Sequence, residues 1–199
     1  MVRCNFLVVG LALSLALGVG ACSKSGGGAG SASAPGAQIG GPFQLTDQNG
    51  KAVDQGVLKG KWTAVFFGYT YCPDVCPTTL QTLGSASDLL GAKAKGFQVV
   101  FVTVDPARDT PSQLKDYLSS SSFPRGIVGL TGTPDQLAKI AGEYKVYFQK
   151  SGTGANYSVD HSSAIYLMNP QGNFDSVIAF GLTPEQTRDQ IVNAMSKQG

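Results

Sequence analysis

Histidine occurs once in these 199 residues, tryptophan once and cysteine four times, and charged side chains make up only 14% of the chain. That scarcity of charge, with a formal net of +2 and no clustered basic face, gives no footing for nucleic-acid binding. The nearest thing to a charge run, Lys93 with Lys95, falls where a helix is expected to end, a place the helix dipole favours for cations. No motif repeats at the periods of solenoid proteins. The uncharged apolar run from Phe6 to Val19 is shorter than the roughly 20 residues of a comfortable membrane span.

What is present at the N-terminus reads as an address. Arg3 supplies a positive start, the apolar run follows, and Val19-Gly20-Ala21-Cys22 closes it with small residues before a cysteine. This closing tetrapeptide resembles the lipobox of bacterial lipoproteins, which implies cleavage after residue 21 and acylation of Cys22. Residues 22–37 continue as Ser, Gly and Ala, a composition that behaves as a flexible tether. Residues 1–21 are therefore expected to be a signal peptide and residues 22–37 a lipid-bearing tether. The implied location is the outer side of a bacterial membrane, facing the periplasm or the cell exterior. Cys4 leaves with the signal and Cys22 carries lipid, so Cys72 and Cys76 are left as the thiol chemistry.

Residues 38–199 are long enough for one domain with its own core. Phe43-Gln44-Leu45-Thr46 alternates, Asn49-Gly50 turns and Ala52-Val53 resumes, the pattern of a hairpin. Apolar strand-length runs follow at Trp62 to Phe67, Phe97 to Val104, Ala164 to Met168 and Val177 to Phe180. Helix starts are marked by Thr110-Pro111, Thr133-Pro134 and Thr183-Pro184, each with Gln three residues after the Thr, the pattern of a capping box. A further helix is expected to begin at Pro77. Strands alternating with helices predict an α/β fold, a central mixed sheet flanked by helices, in the layout of thioredoxin.

The chemistry concentrates in Tyr71-Cys72-Pro73-Asp74-Val75-Cys76-Pro77, between a strand and a helix. With Pro77 as the first helical residue, Cys76 takes the N-cap place, where unpaired N–H groups and the helix dipole lower a thiol pKa. Three residues separate the cysteines rather than the two of thioredoxin-type motifs, which leaves room for an ion between the sulfurs. The pair can still close a disulfide, but a staple across so small a loop stabilises little. The single histidine, His161, follows a Gly/Ser/Asn-rich loop at residues 150–156 and precedes the strand at residue 164. Two sulfurs and an imidazole form a soft set of three donors. Structural zinc wants four protein ligands and an iron–sulfur cluster four cysteines, whereas Cu(I) accepts two thiolates and one imidazole, and Cu(II) adds an oxygen ligand. Asp74 and Asp160 stand nearby as carboxylates that could support the ligands or simply be solvated.

Three blocks resemble the Sco/SenC family of copper chaperones. They are Phe67-Gly68-Tyr69-Thr70-Tyr71-Cys72-Pro73-Asp74-Val75-Cys76-Pro77-Thr78-Thr79-Leu80, Val104-Asp105-Pro106-Ala107-Arg108-Asp109-Thr110-Pro111 and Val159-Asp160-His161-Ser162. They occur in the family's order. The resemblance implies a thioredoxin-like fold with a small inserted hairpin, which the segment from Val146 to Val159 could supply. It also implies copper held by Cys72, Cys76 and His161, and service to the binuclear copper site of a cytochrome c oxidase subunit. Tyr71 stands where the family often has a His or Gln-like residue, and Ala107 replaces a commonly acidic one. Asp105 and Arg108 read as structural, with partner docking as the sharper alternative.

Four functions compete on these residues. A metallochaperone would take Cu(I) and pass it on by ligand exchange, with an exported reductant keeping the cysteines reduced. A thiol–disulfide reductase would attack with Cys72, resolve with Cys76 and dispense with His161. A thiol peroxidase wants Thr-x-x-Cys, whereas Thr70 lies only two residues before Cys72. A copper sensor or store would use the same three ligands.

Overall fold

The computed structural model describes residues 38–197; the expected signal, Cys22 and the tether all lie outside the described residues. The chain opens with the predicted hairpin, β1 (Gln44–Asp47) and β2 (Ala52–Asp54), closed by a turn whose Gly50 has φ 78°. After a 3-10 turn come β3 (Trp62–Gly68), α1 (Val75–Leu89), a second 3-10 stretch at Gly91–Gly96 and β4 (Phe97–Thr103). Then follow α2 (Pro111–Leu118), β5 (Val128–Thr131) and α3 (Pro134–Tyr144). Next come β6 (Phe148–Ser151), β7 (Ser158–His161), β8 (Ile165–Met168), β9 (Phe174–Ile178) and α4 (Pro184–Ser196).

Seven strands form one mixed sheet in the order β2-β1-β5-β4-β3-β8-β9. β3, β4 and β5 run parallel, and β1, β8 and β9 join antiparallel. Every residue of β3 is buried, as expected of a central strand covered on both faces. Helices flank the sheet, with α1 packed on α4, α2 on β5 and α3 on β1. This is the predicted α/β, thioredoxin-like architecture.

Phe66, Phe67, Phe101, Leu80, Leu83, Leu114 and Leu167 are fully buried between these layers. Each such side chain contributes about 1.5–3 kcal/mol on leaving water. The three threonine caps form as predicted. Thr110, Thr133 and Thr183 each accept the backbone N–H of the Gln at N3, and Thr133 and Thr183 complete the reciprocal capping box. A cap of this kind contributes about 1 kcal/mol.

Two boundaries differ from the expectation. β9 runs Phe174–Ile178 rather than 177–180, because Phe174 pairs with Met168 and sets its ring 6.4 Å from that of Tyr166. Gly181, at φ 86°, then turns the chain towards Thr183 and leaves Phe180 exposed. The second difference is the start of α1, which changes the chemistry of the site.

Candidate metal centre

β3 delivers the cysteine loop and its last residue makes room for it. A Cβ on Gly68 would lie 2.8 Å from Cys76 Sγ and 2.8 Å from Phe101 Cε2. The sulfur therefore sits against bare backbone. Beyond Gly68 the loop is pinned from below by Asp109, which is wholly buried. Its carboxylate accepts the backbone N–H of Thr70 at 3.0 Å, the Thr70 hydroxyl at 2.6 Å and the Thr103 hydroxyl at 2.5 Å. Burial pushes the Asp109 pKa up, and these three donors oppose the rise without cancelling it. The loop then folds back, with Cys72 N–H donating to the Tyr69 carbonyl at 3.2 Å. Thr70 is thus an anchor of the loop, which leaves the peroxidase reading without its threonine.

α1 begins at Val75 with Asp74 as N-cap, so Cys76 is the second residue of the helix rather than its cap. Asp74 makes no side-chain bond to the helix N–H groups and instead accepts the Thr78 hydroxyl at 3.3 Å. The consequence reverses the expected thiol chemistry. The neighbouring Cys72 sulfur, which holds the proton on Cys76, and the full burial of Cys76 both push its pKa up. Cys72 is half-buried and is the ionised partner. Its pKa falls to about 4, first because the Cys76 thiol donates to it, against the cost of its own burial. His161 and the backbone N–H groups of Cys76 and Asp74 lower it further, the Cys76 N–H from 3.4 Å. The helix N-terminus does depress a thiol, but the one it faces is Cys72.

His161 is the last residue of β7 and not part of a loop. Its Nε2 lies 3.6 Å from Cys76 Sγ, and its Nδ1 lies 3.0 Å from the Ser162 carbonyl oxygen. A carbonyl oxygen only accepts, so Nδ1 carries a hydrogen, and Nε2 is the ring nitrogen turned to the sulfurs. Phe66 and Tyr69 meet the ring edge-on at centroid distances of 6.3 and 5.9 Å. The imidazole thus stands in place without any swing of a loop. Neither carboxylate raised as a supporter reaches it, since Asp74 and Asp160 both face solvent.

The donor atoms of Cys72, Cys76 and His161 all lie within 4.8 Å of one another. A metal bonded to two sulfurs at about 2.3 Å in a trigonal set holds them about 4 Å apart, so the group fits an ion with small adjustments. Tyr69, Val75, Val159 and Phe180 line the mouth with apolar surface. Gly68 and Asp109 were not singled out in the sequence. A glycine ending a buried strand was a signal for the first; nothing local marked the second.

Comparison with known proteins gives a consistent picture. The SCO1/SenC family model matches residues 31–196. The mitochondrial protein SCO2 of Saccharomyces cerevisiae is 45% identical over 168 residues, covering 80% of this chain and 55% of that protein. The first curated relatives are matched over only 41–55% of their length, so the chain spans about half of them. The structure of Bradyrhizobium japonicum ScoI with copper bound is 46% identical with a TM-score of 0.71, covering 78% of this chain and 99% of that one. BsSco, a member of the Sco family of cytochrome c oxidase assembly proteins in which a disulfide switch was identified, is 26% identical. Its TM-score is 0.64, over 80% of this chain and 92% of that one.

Proposed function

The chain belongs to the SCO1/SenC family, and from that premise we propose that it is a copper metallochaperone for the copper site of a cytochrome c oxidase. The observation that carries the proposal is the convergence of Cys72, Cys76 and His161 donor atoms within 4.8 Å. Copper bound to ScoI, and the place of BsSco among oxidase assembly proteins, support the metal and the destination. Soft thiolates select Cu(I), and three donors leave an ion open to a fourth from a partner.

Transfer follows from the protonation pattern. Cys72 is ionised and half-exposed, so it is the sulfur that first meets an incoming ion. Cys76 then gives up its proton, and His161 closes the set through Nε2 without reorienting. Departure runs in reverse, with a partner thiolate or imidazole first replacing His161, the ligand that closed the set. An exported thiol reductant keeps both sulfurs available in an oxidising compartment. We assign residues 1–37 to delivery and anchoring, with Cys22 lipidated and the domain held at a bacterial membrane; the order of signal, cysteine and tether supports this.

One observation favours a second reading. A half-exposed thiolate in front of a buried thiol is the arrangement of a disulfide reductase. Cys72 would attack a substrate disulfide and expel one thiolate, and Cys76 would then displace the other. The substrate leaves as a dithiol and this chain as the Cys72–Cys76 disulfide. His161 separates the readings. Cu(I) titration of the reduced protein against a chelator is expected to show one tight equivalent, weakened by Cys72→Ser, Cys76→Ser and His161→Ala alike. Tight binding indifferent to His161→Ala, or no tight binding, would transfer the role to thiol chemistry.

A further inference from the structure

β6 and β7 pair only with each other, and their two-stranded sheet stands apart from the seven-stranded one. Most of β6 is exposed. The strand that carries the histidine therefore needs another hold, and a latch supplies it. The latch starts in the loop after β4. Asp105 is 4% exposed, and its backbone N–H donates to Thr103 Oγ1 at 2.9 Å. Its carbonyl accepts the N–H groups of Arg108 and Asp109. Its carboxylate then takes two partners, Arg108 Nε at 2.5 Å and the Tyr157 hydroxyl at 2.6 Å. Arg108 reaches on to the hairpin, where Nη1 donates to the Tyr157 carbonyl at 3.0 Å and the Ala155 carbonyl at 3.4 Å. Its guanidinium carbon lies 3.6 Å from the centroid of the Tyr157 ring, 4.6 Å from that of Tyr71 and 5.7 Å from that of Tyr69.

These contacts spend Arg108 internally. Its side chain is only 14% exposed, and the buried Nη2, without a protein acceptor, is left to the surrounding aromatic faces. Little of the guanidinium is left for a docking partner. Its leverage follows from strand geometry. Successive side chains of a strand alternate between faces, so Tyr157, Val159 and His161 share one face. The burial agrees: Ser158 and Asp160 are exposed, Val159 is 6% exposed, and Tyr157 and His161 are half-buried. Fixing Tyr157 fixes the face on which the imidazole is presented to the sulfurs.

We propose that Arg108 is a positioning residue for the metal ligand His161, acting through Asp105 and Tyr157 to hold β7 against the cysteine loop. The proposal rests on the copper reading of Cys72, Cys76 and His161. Without the latch the hairpin samples positions in which Nε2 is away from the sulfurs, and the ligand is present only part of the time.

The test is a double-mutant cycle on the full chain, read by Cu(I) competition with a chelator. Arg108→Ala is expected to weaken Cu(I) binding about 10–100-fold, the usual cost of losing a group that orients a ligand. Tyr157→Phe keeps the ring over the guanidinium and loses only the hydroxyl bond, so a smaller loss of about 2–10-fold is expected. In a His161→Ala background neither substitution should weaken binding further. The Cu(II) complex of Arg108→Ala should also shift its thiolate charge-transfer band towards that of His161→Ala. Unchanged affinity, or the same loss with and without His161, would overturn the proposal. Wild-type protein lacking a His161-dependent Cu(I) site would overturn the copper reading instead. Amide hydrogen exchange then still reports on the latch: Arg108→Ala should speed exchange at residues 158–161 while β3 stays protected, and unchanged exchange there would dismiss it.

Discussion

The two halves of the candidate metal centre are held in different ways. The cysteines grow out of the most buried part of the molecule. β3 is covered on both faces, Cys76 lies in the first turn of α1, and Asp109, braced by Thr103 of β4, ties the intervening loop down through two hydrogen bonds from Thr70. The histidine sits on a two-stranded hairpin outside the main sheet, held by a polar and aromatic latch. The dithiol is thus fixed by core packing, whereas the imidazole is fixed by contacts that a few ångströms of hairpin movement would undo. A carrier that must both hold and release an ion gains from that asymmetry. The part that confers softness is permanent, and the part that completes the coordination is adjustable.

The sharpest way to break the comparison is to disturb the fixed half. Gly68→Ala places a methyl group 2.8 Å from Cys76 Sγ and 2.8 Å from Phe101 Cε2, and neither buried neighbour can retreat easily. A loss of about 1–3 kcal/mol in urea unfolding is expected from such overpacking. Weaker Cu(I) binding should accompany it as the sulfur is displaced. Unchanged stability and affinity would show that the cysteine half is as pliable as the histidine half.

A smaller effect separates the two sulfurs. The thiolate is the reactive form, and the Cys72 pKa is depressed to about 4. Alkylation of Cys72 should therefore be fast and flat from neutral pH down to about 5, and be lost as the pH falls through 4. Cys76, buried with a raised pKa, should resist until the protein unfolds. Cu(I) loading at pH 7 should release about one proton, from Cys76, where two ordinary thiols would release about two. Alkylation of both cysteines with a common midpoint above pH 8 would erase the distinction. The smallest effect is expected at Asp160. It faces solvent beside the ligand, and Asp160→Asn should leave Cu(I) affinity within about 2-fold, as is usual for a surface substitution.

The sequence was most legible where the determinant is local. Each Thr-Pro pair followed by Gln marks a helix start within a few residues, and all three were found where expected. The apolar runs at 62–67 and 97–104 mark the two central strands for the same reason. α1 was misplaced by two residues because Cys76-Pro77 imitates the Thr-Pro pattern, while the true cap, Asp74, lacks the usual side-chain bond. That slip also put the depressed pKa on the wrong sulfur, since the order of the two thiols depends on burial. Residues 150–156 carry the Gly, Ser and Asn of a loop, yet their flanks pair as β6 and β7 because Phe148 and Val159 find a core to cover. Asp109, written between Arg108 and Thr110, carries no local mark of a buried role. Its burial is decided by Thr70, 39 residues earlier.

The most direct test of the three-ligand centre is X-ray absorption at the copper edge of the reduced, Cu(I)-loaded protein. The account predicts a three-coordinate ion with two sulfur scatterers at about 2.3 Å and one imidazole scatterer that disappears in His161→Ala. A two-coordinate ion with sulfur scatterers alone, the same in wild type and His161→Ala, would contradict it.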